Sequence, residues 1–133
     1  MDVLMSIRPE FARKILSREK LVEFRKQAFR RPVDRIFIYS SAPEQKIVAS
    51  FRYVGSLSGS PAEIWERYGR HGCISKEDFF GYFPSRDELA YAIPIVDLRV
   101  LDRPVDPSQL IPGFRPPQSF CYWDALPDIE VED

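Results

Sequence analysis

The chain of 133 residues contains no threonine, a single histidine (His71) and only two cysteines (Cys73 and Cys121). These shortages remove whole classes of chemistry. One histidine beside one cysteine is too few ligands for an ordinary tetrahedral zinc site. No Ser–His–Asp set, no Gly-rich phosphate loop and no cysteine-nucleophile signature is present. A threonine nucleophile is impossible, and no metal or cofactor is expected. The two thiols are expected to be small semi-buried residues rather than a disulfide, because a reducing compartment keeps such pairs apart. No apolar run approaches the ~20 residues of a membrane span. Residues 1–6 show no basic leader segment. A cytoplasmic protein with no membrane contact is expected.

Hydrophobic residues make up 44% and charged residues 29% of the chain, the composition of a folded globular protein. The length suits one domain over 1–133. The charge is split. Residues 1–55 carry 12 Lys and Arg against 6 Asp and Glu, a net +6, whereas residues 56–133 carry 7 against 14, a net −7. A basic half suggests a polyanion-facing surface, most simply nucleic acid, or a face that docks an acidic protein partner. An overall pI near 5.9 argues against strong non-specific binding to nucleic acid. Acidic segments folding back over basic ones would also explain the split.

Hydrophobic periodicity predicts the elements. Residues 3–6 read as a strand and residues 8–17 as a helix. Pro9 stands in its first turn, and Phe11/Ile15 and Ala12/Leu16 form one inward face. A second strand covers 21–26, and a basic loop follows over 27–32. Residues 33–40 are apolar on both faces, which predicts a central strand. Ile47, Ala49, Phe51 and Tyr53 line one face of a fourth strand. Residues 55–59 read as a flexible link. Ser60-Pro61-Ala62-Glu63 is a capping box that opens a helix carrying Ile64, Trp65 and Tyr68. Ser75 opens another helix that runs to Phe83 and stops at Pro84. Residues 89–101 read as one last strand with Pro94 at an edge or bulge. From Pro104 the chain is proline-rich, expected to be an irregular strap over the barrel or cleft mouth, ending in a frayed acidic tip at 130–133. These elements predict an α+β fold, a small mixed β-barrel.

The stretch Lys20-x-x-Glu23-x-Arg25 carries the strongest chemical signal. On a strand Glu23 and Arg25 share a face, about 7 Å apart at Cα. Lys20, at the turn before it, can swing over that face. A donor, an acceptor and a forked guanidinium beside a helix end suit a polar planar ligand or a phosphate. The alternative is an ordinary ion pair of Glu23 with Arg25 or with a cross-strand arginine.

The run Ser17-Arg18-Glu19-Lys20-Leu21-Val22-Glu23-Phe24-Arg25 resembles the G-x-K-x-x-E-x-R signature of the ASCH domain family, in the PUA-like superfamily of small β-barrels. Lys20, Glu23 and Arg25 match. Arg18 stands where the signature has glycine, which puts its tight turn in question. The order of elements over residues 2–102 is also similar, and residues 112–120 resemble a prokaryotic subgroup. The resemblance implies a PUA-like mixed barrel of about five strands and two to three helices. It implies a nucleic-acid-binding module, in the first instance for RNA or a nucleotide-like ligand. Its cleft would be lined by Lys20, Glu23 and Arg25 and rimmed by Arg18, Arg30 and Arg31. Tyr39, Tyr53 or Phe29 would offer a ring to an unpaired base. Arg115 in the tail would reach the cleft. The competing implication is a hydrolase of modified nucleosides or RNA, with Lys20 as charge stabiliser and Glu23 as general base. An amidohydrolase branch of the superfamily uses Lys, Thr and Glu. Here the threonine is missing, and the position of that branch's acid falls near Gly72.

Overall fold

The computed structural model describes residues 1–123. The expected acidic tip at 130–133 lies outside the described residues. Strands β1 (Asp2–Ile7), β2 (Val22–Arg25), β3 (Arg35–Ser40), β4 (Lys46–Arg52), β5 (Leu57–Gly59), β6 (Ala90–Pro94), β7 (Val96–Val105) and β8 (Phe120–Trp123) alternate with helices α1 (Pro9–Leu16), α2 (Pro61–Tyr68) and α3 (Lys76–Tyr82). A mixed α+β fold results.

A strand with apolar side chains on both faces must be covered on both. β3 meets this condition at the centre of a five-stranded sheet of order β7-β4-β3-β1-β8, in which β1 and β3 are parallel and the other pairs antiparallel. On one face Val3, Met5, Ile36, Ile38, Ala49 and Phe51 pack against Ala12 and Ile15 of α1. On the other, Leu4, Phe37, Tyr39, Ile47 and Leu101 pack with Trp123 under Phe114. The second sheet, β2-β6-β5, buries Val22 and Phe24 against Ile64 of α2 and Phe79 and Phe83 of α3. The capping box predicted at Ser60 and Glu63 forms, and Ser75 caps α3. No helix among the described residues is long and apolar enough to cross a membrane.

Four expectations need correction. Among the described residues the sheets do not close into a barrel, and there are eight strands rather than about five. The single strand expected over 89–101 is two: β6 pairs with β2, and β7 pairs with β4. Proline has no N–H for a ladder, and Pro94 stands where the chain passes from the sheet of β2 to the sheet of β4. The link over 55–59 contains β5, an edge strand held by three residue pairs with β6. The irregular tail is interrupted by a 3-10 turn at Pro107–Gln109 and contains β8, which is antiparallel to β1.

The turn before the motif does form despite Arg18. Arg18 takes the left-handed conformation at φ 66°, the Arg18 N–H donates to Ile15 O, and the Glu19 N–H donates to Lys14 O. This pattern is a Schellman cap, whose left-handed position favours glycine. An L side chain there costs roughly 1–2 kcal/mol. Arg18→Gly is therefore expected to stabilise the protein by about 1 kcal/mol in denaturant unfolding. An unchanged or lowered midpoint would show that Arg18 makes a compensating contact.

Candidate functional site

The Schellman cap ends α1 and turns the chain into β2, whose residues share a cavity with the start of α1. There β2, the C-terminal ends of β1 and β3, one side of α3 and residues 116–119 enclose a cavity of about 1060 Å³. Lys20, Glu23 and Arg25 all line it. They lie deeper than a half-buried strand would place them, at 3%, 8% and 9% exposure. All four residues of β2 are buried: α2 and α3 cover the face that carries Val22 and Phe24, while Glu23 and Arg25 are closed in by each other, Lys20, Ser6 and Ser119.

The three charges form one network. Lys20 Nζ donates to Gly72 O at 2.6 Å and lies 3.3 Å from Glu23 Oε1. Its ammonium also sits over the rings of Phe11 and Phe24, at 5.2 and 5.5 Å. Glu23 Oε2 accepts from Arg25 Nε at 3.1 Å and Nη2 at 2.8 Å. Arg25 reaches on to Ser119 Oγ at 2.9 Å and Ser6 O at 2.8 Å. Ser6 in turn holds the tail, its hydroxyl donating to Pro117 O at 2.6 Å and its N–H to Ser119 O at 2.9 Å. Two cations and one anion leave the cavity floor positively charged, and buried charges need this degree of satisfaction.

The walls differ in sign. Arg8, exposed at the start of α1, adds a cation and is only loosely paired with Glu10 at 3.9 Å. Glu77 and Asp78 from α3 make the opposite wall acidic. Tyr39 lines the cavity, and burial, aided by Asp106, pushes its phenol above the usual tyrosine range. Tyr82 lines it as well, and burial raises its phenol too, with Glu23 and Glu88 adding and Arg25 opposing.

Several expected partners are elsewhere. Among the described residues, Arg18, Arg30, Arg31 and Arg115 do not line the cavity. Arg18 is spent on the helix cap. Arg30 and Arg31 lie near the opposite end of β1, where the Arg30 N–H donates to Tyr122 Oη at 2.9 Å and the Arg31 guanidinium lies 4.8 Å over the Tyr122 ring. Phe29 and Tyr53 pack edge-on against each other at 5.0 Å instead of facing the cavity. Conversely, Arg8, Ser6, Ser119 and Tyr82 were not anticipated in the cavity.

No protein-family model matches the chain. An ASCH domain-containing ribonuclease of Zymomonas mobilis subsp. mobilis is 32% identical over 126 residues, covering 91% of this chain and 83% of that protein. The chain belongs to the ASCH family. The crystal structure of ASCH from Zymomonas mobilis superposes on this ASCH domain with a TM-score of 0.82 at 29% identity, covering 92% of this chain and 87% of that one. A serine-to-alanine variant of the same protein gives a TM-score of 0.82 and a tyrosine-to-phenylalanine variant 0.81, both at 29% identity. They cover 92% of this chain and 87% and 89% of theirs. Glycine in the family signature is explained by the left-handed turn that Arg18 occupies here.

Proposed function

We propose that this ASCH domain acts on RNA and holds a nucleotide of a single-stranded segment in the cavity above Lys20, Glu23 and Arg25. The observation that carries the reading is the buried ion network with net positive charge on the floor of a cavity of about 1060 Å³. Its volume lies at the upper end of the roughly 300–1,000 Å³ of small-molecule sites, room for a nucleotide with part of its neighbour. The floor and Arg8 suit phosphate, and the acidic wall suits the amino groups of bases. Such a two-sided lining favours a nucleotide over a bare polyanion.

Arg8 is the residue to test, because its exposure spares the fold. Arg8→Ala should weaken binding of a labelled short single-stranded RNA by about 1.5–3 kcal/mol, the range for hydrogen bonds to charged groups. The salt slope should fall by about one. Anisotropy titrations measure both. Identical titrations for wild type and variant would remove the cavity from RNA recognition.

A second reading, cleavage of the bound strand, is favoured by the relative named a ribonuclease. Phosphodiester cleavage needs a base for the attacking hydroxyl and a cation beside the phosphate. Glu23 and Lys20 have those chemistries, but Glu23 Oε2 already accepts two hydrogen bonds from Arg25 and Oε1 is ion-paired with Lys20 at 3.3 Å. Binding therefore comes first and catalysis by Glu23 second. Tyr39 and Ser119 add hydroxyls at the same cavity. Multiple-turnover release of fragments from labelled RNA by the wild-type protein would put cleavage first.

A further inference from the structure

α3 turns one aromatic ring outward. Phe79 and Phe83 anchor the helix at 0% and 1% exposure, whereas Tyr82 is 40% exposed and lines the cavity. The ring is nonetheless held. Lys26 Nζ sits 4.8 Å over it and is tethered to Glu88 at 3.8 Å. Phe83 meets it edge-on, with centroids 4.7 Å apart. The neighbouring Gly81 has open space where a side chain would stand, so nothing crowds the ring from that position. Tyr82 shares the cavity lining with Arg25 and Glu23. The result is a ring lining the cavity with a cation over its plane and substantial surface left open.

A ring fixed on one side and open beside a cationic floor is what a planar base needs. Stacking on an aromatic face is the common way proteins hold unpaired bases, and it is worth the most where the ring is already immobile. We propose that Tyr82 is the platform on which an unpaired RNA base stacks inside the cavity, with Lys26 holding the ring from behind. This rests on the RNA reading given above and extends it: the substrate class is single-stranded RNA, because a base in a duplex keeps both faces covered by its neighbours.

The experiment uses a short single-stranded RNA carrying a fluorescent base analogue whose emission is quenched by stacking. Wild-type protein should bind it and quench it, and unlabelled single-stranded RNA should compete while duplex RNA does not. Tyr82→Phe should keep the affinity and the quench. Tyr82→Leu should weaken binding by roughly 5- to 150-fold, the range of base–aromatic stacking, and lose the quench. Melting curves should be alike for all three, since the side chain is largely outside the core. Lys26→Ala should reduce the quench while leaving the fold intact. Unchanged affinity and quench in Tyr82→Leu, with the wild type binding normally, would overturn the platform and leave the RNA reading standing. Absence of any wild-type binding would overturn both.

Discussion

Glu23→Ala is expected to destabilise the protein by about 3–5 kcal/mol, the cost of removing one partner from a buried charge network. Glu23 is 8% exposed and is the carboxylate between two nearly buried cations. Its loss leaves Lys20 and Arg25 desolvated and facing each other. Lys20 is held by Gly72 O and Arg25 by Ser6 O and Ser119 Oγ, so neither side chain moves away without breaking further hydrogen bonds. Urea unfolding measures the loss. It should change little with added salt, since screening acts weakly on buried charges. Combining it with Lys20→Met should cost less than the sum of the two single changes, with a coupling of about 0.5–3 kcal/mol. A loss below about 1 kcal/mol would mean the network behaves as a solvent-screened surface pair. Any assay of a Glu23 variant must therefore be read beside its melting curve.

Gly72→Ala should be comparably damaging for a steric reason. A Cβ there would overlap Phe24 Cε2 and lie 2.8 Å from Phe24 Cζ. Phe24 has no room to yield, being 6% exposed and locked edge-on against Phe79 at 4.9 Å. Overpacking of this kind costs about 1–3 kcal/mol. Moving the Gly72 carbonyl also removes the acceptor of a buried ammonium, a further loss of about 1.5–3 kcal/mol. Gly81→Ala is the contrast. Nothing lies within 4 Å of its Cβ position. It sits in α3, where replacing glycine by alanine gains up to about 1 kcal/mol. Opposite signs for the two substitutions in thermal unfolding are the expected result. A tolerated Gly72→Ala would show that the segment can shift without loosening Lys20.

The helices were legible because each carries its own start signal and one apolar stripe: Pro9, the Ser60–Glu63 box and Ser75 mark the starts correctly. β3 was legible because both faces are apolar. The motif residues were found because a charge triplet inside an apolar alternation is unusual. Their depth was not legible, since Lys20 is held by Gly72 and Arg25 by Ser6 and Ser119, residues far from the motif in the chain. The rim arginines misled for the same reason. Arg30 and Arg31 are near Arg25 in sequence, but the loop before β3 carries them to the far end of β1. Short strands such as β5 and β8 have too few residues to show a period, and their partners alone decide them. The Ser119–Arg25 contact spans 94 positions, and no local pattern announces it.

The pairing of β1 with β8 has a kinetic consequence. The chain emerges N-terminus first, so β1, α1 and β2 are available early, while Pro116–Ser119 and β8 come more than 90 residues after β2. Until those late residues dock, Ser6 lacks its tail partner, Arg25 lacks Ser119 and the cavity lacks a wall. Contacts of such long sequence separation form slowly. A nascent chain would thus hold its whole charge triplet well before it could shape a pocket around a ligand, and its assembly would be completed by the last strand to arrive.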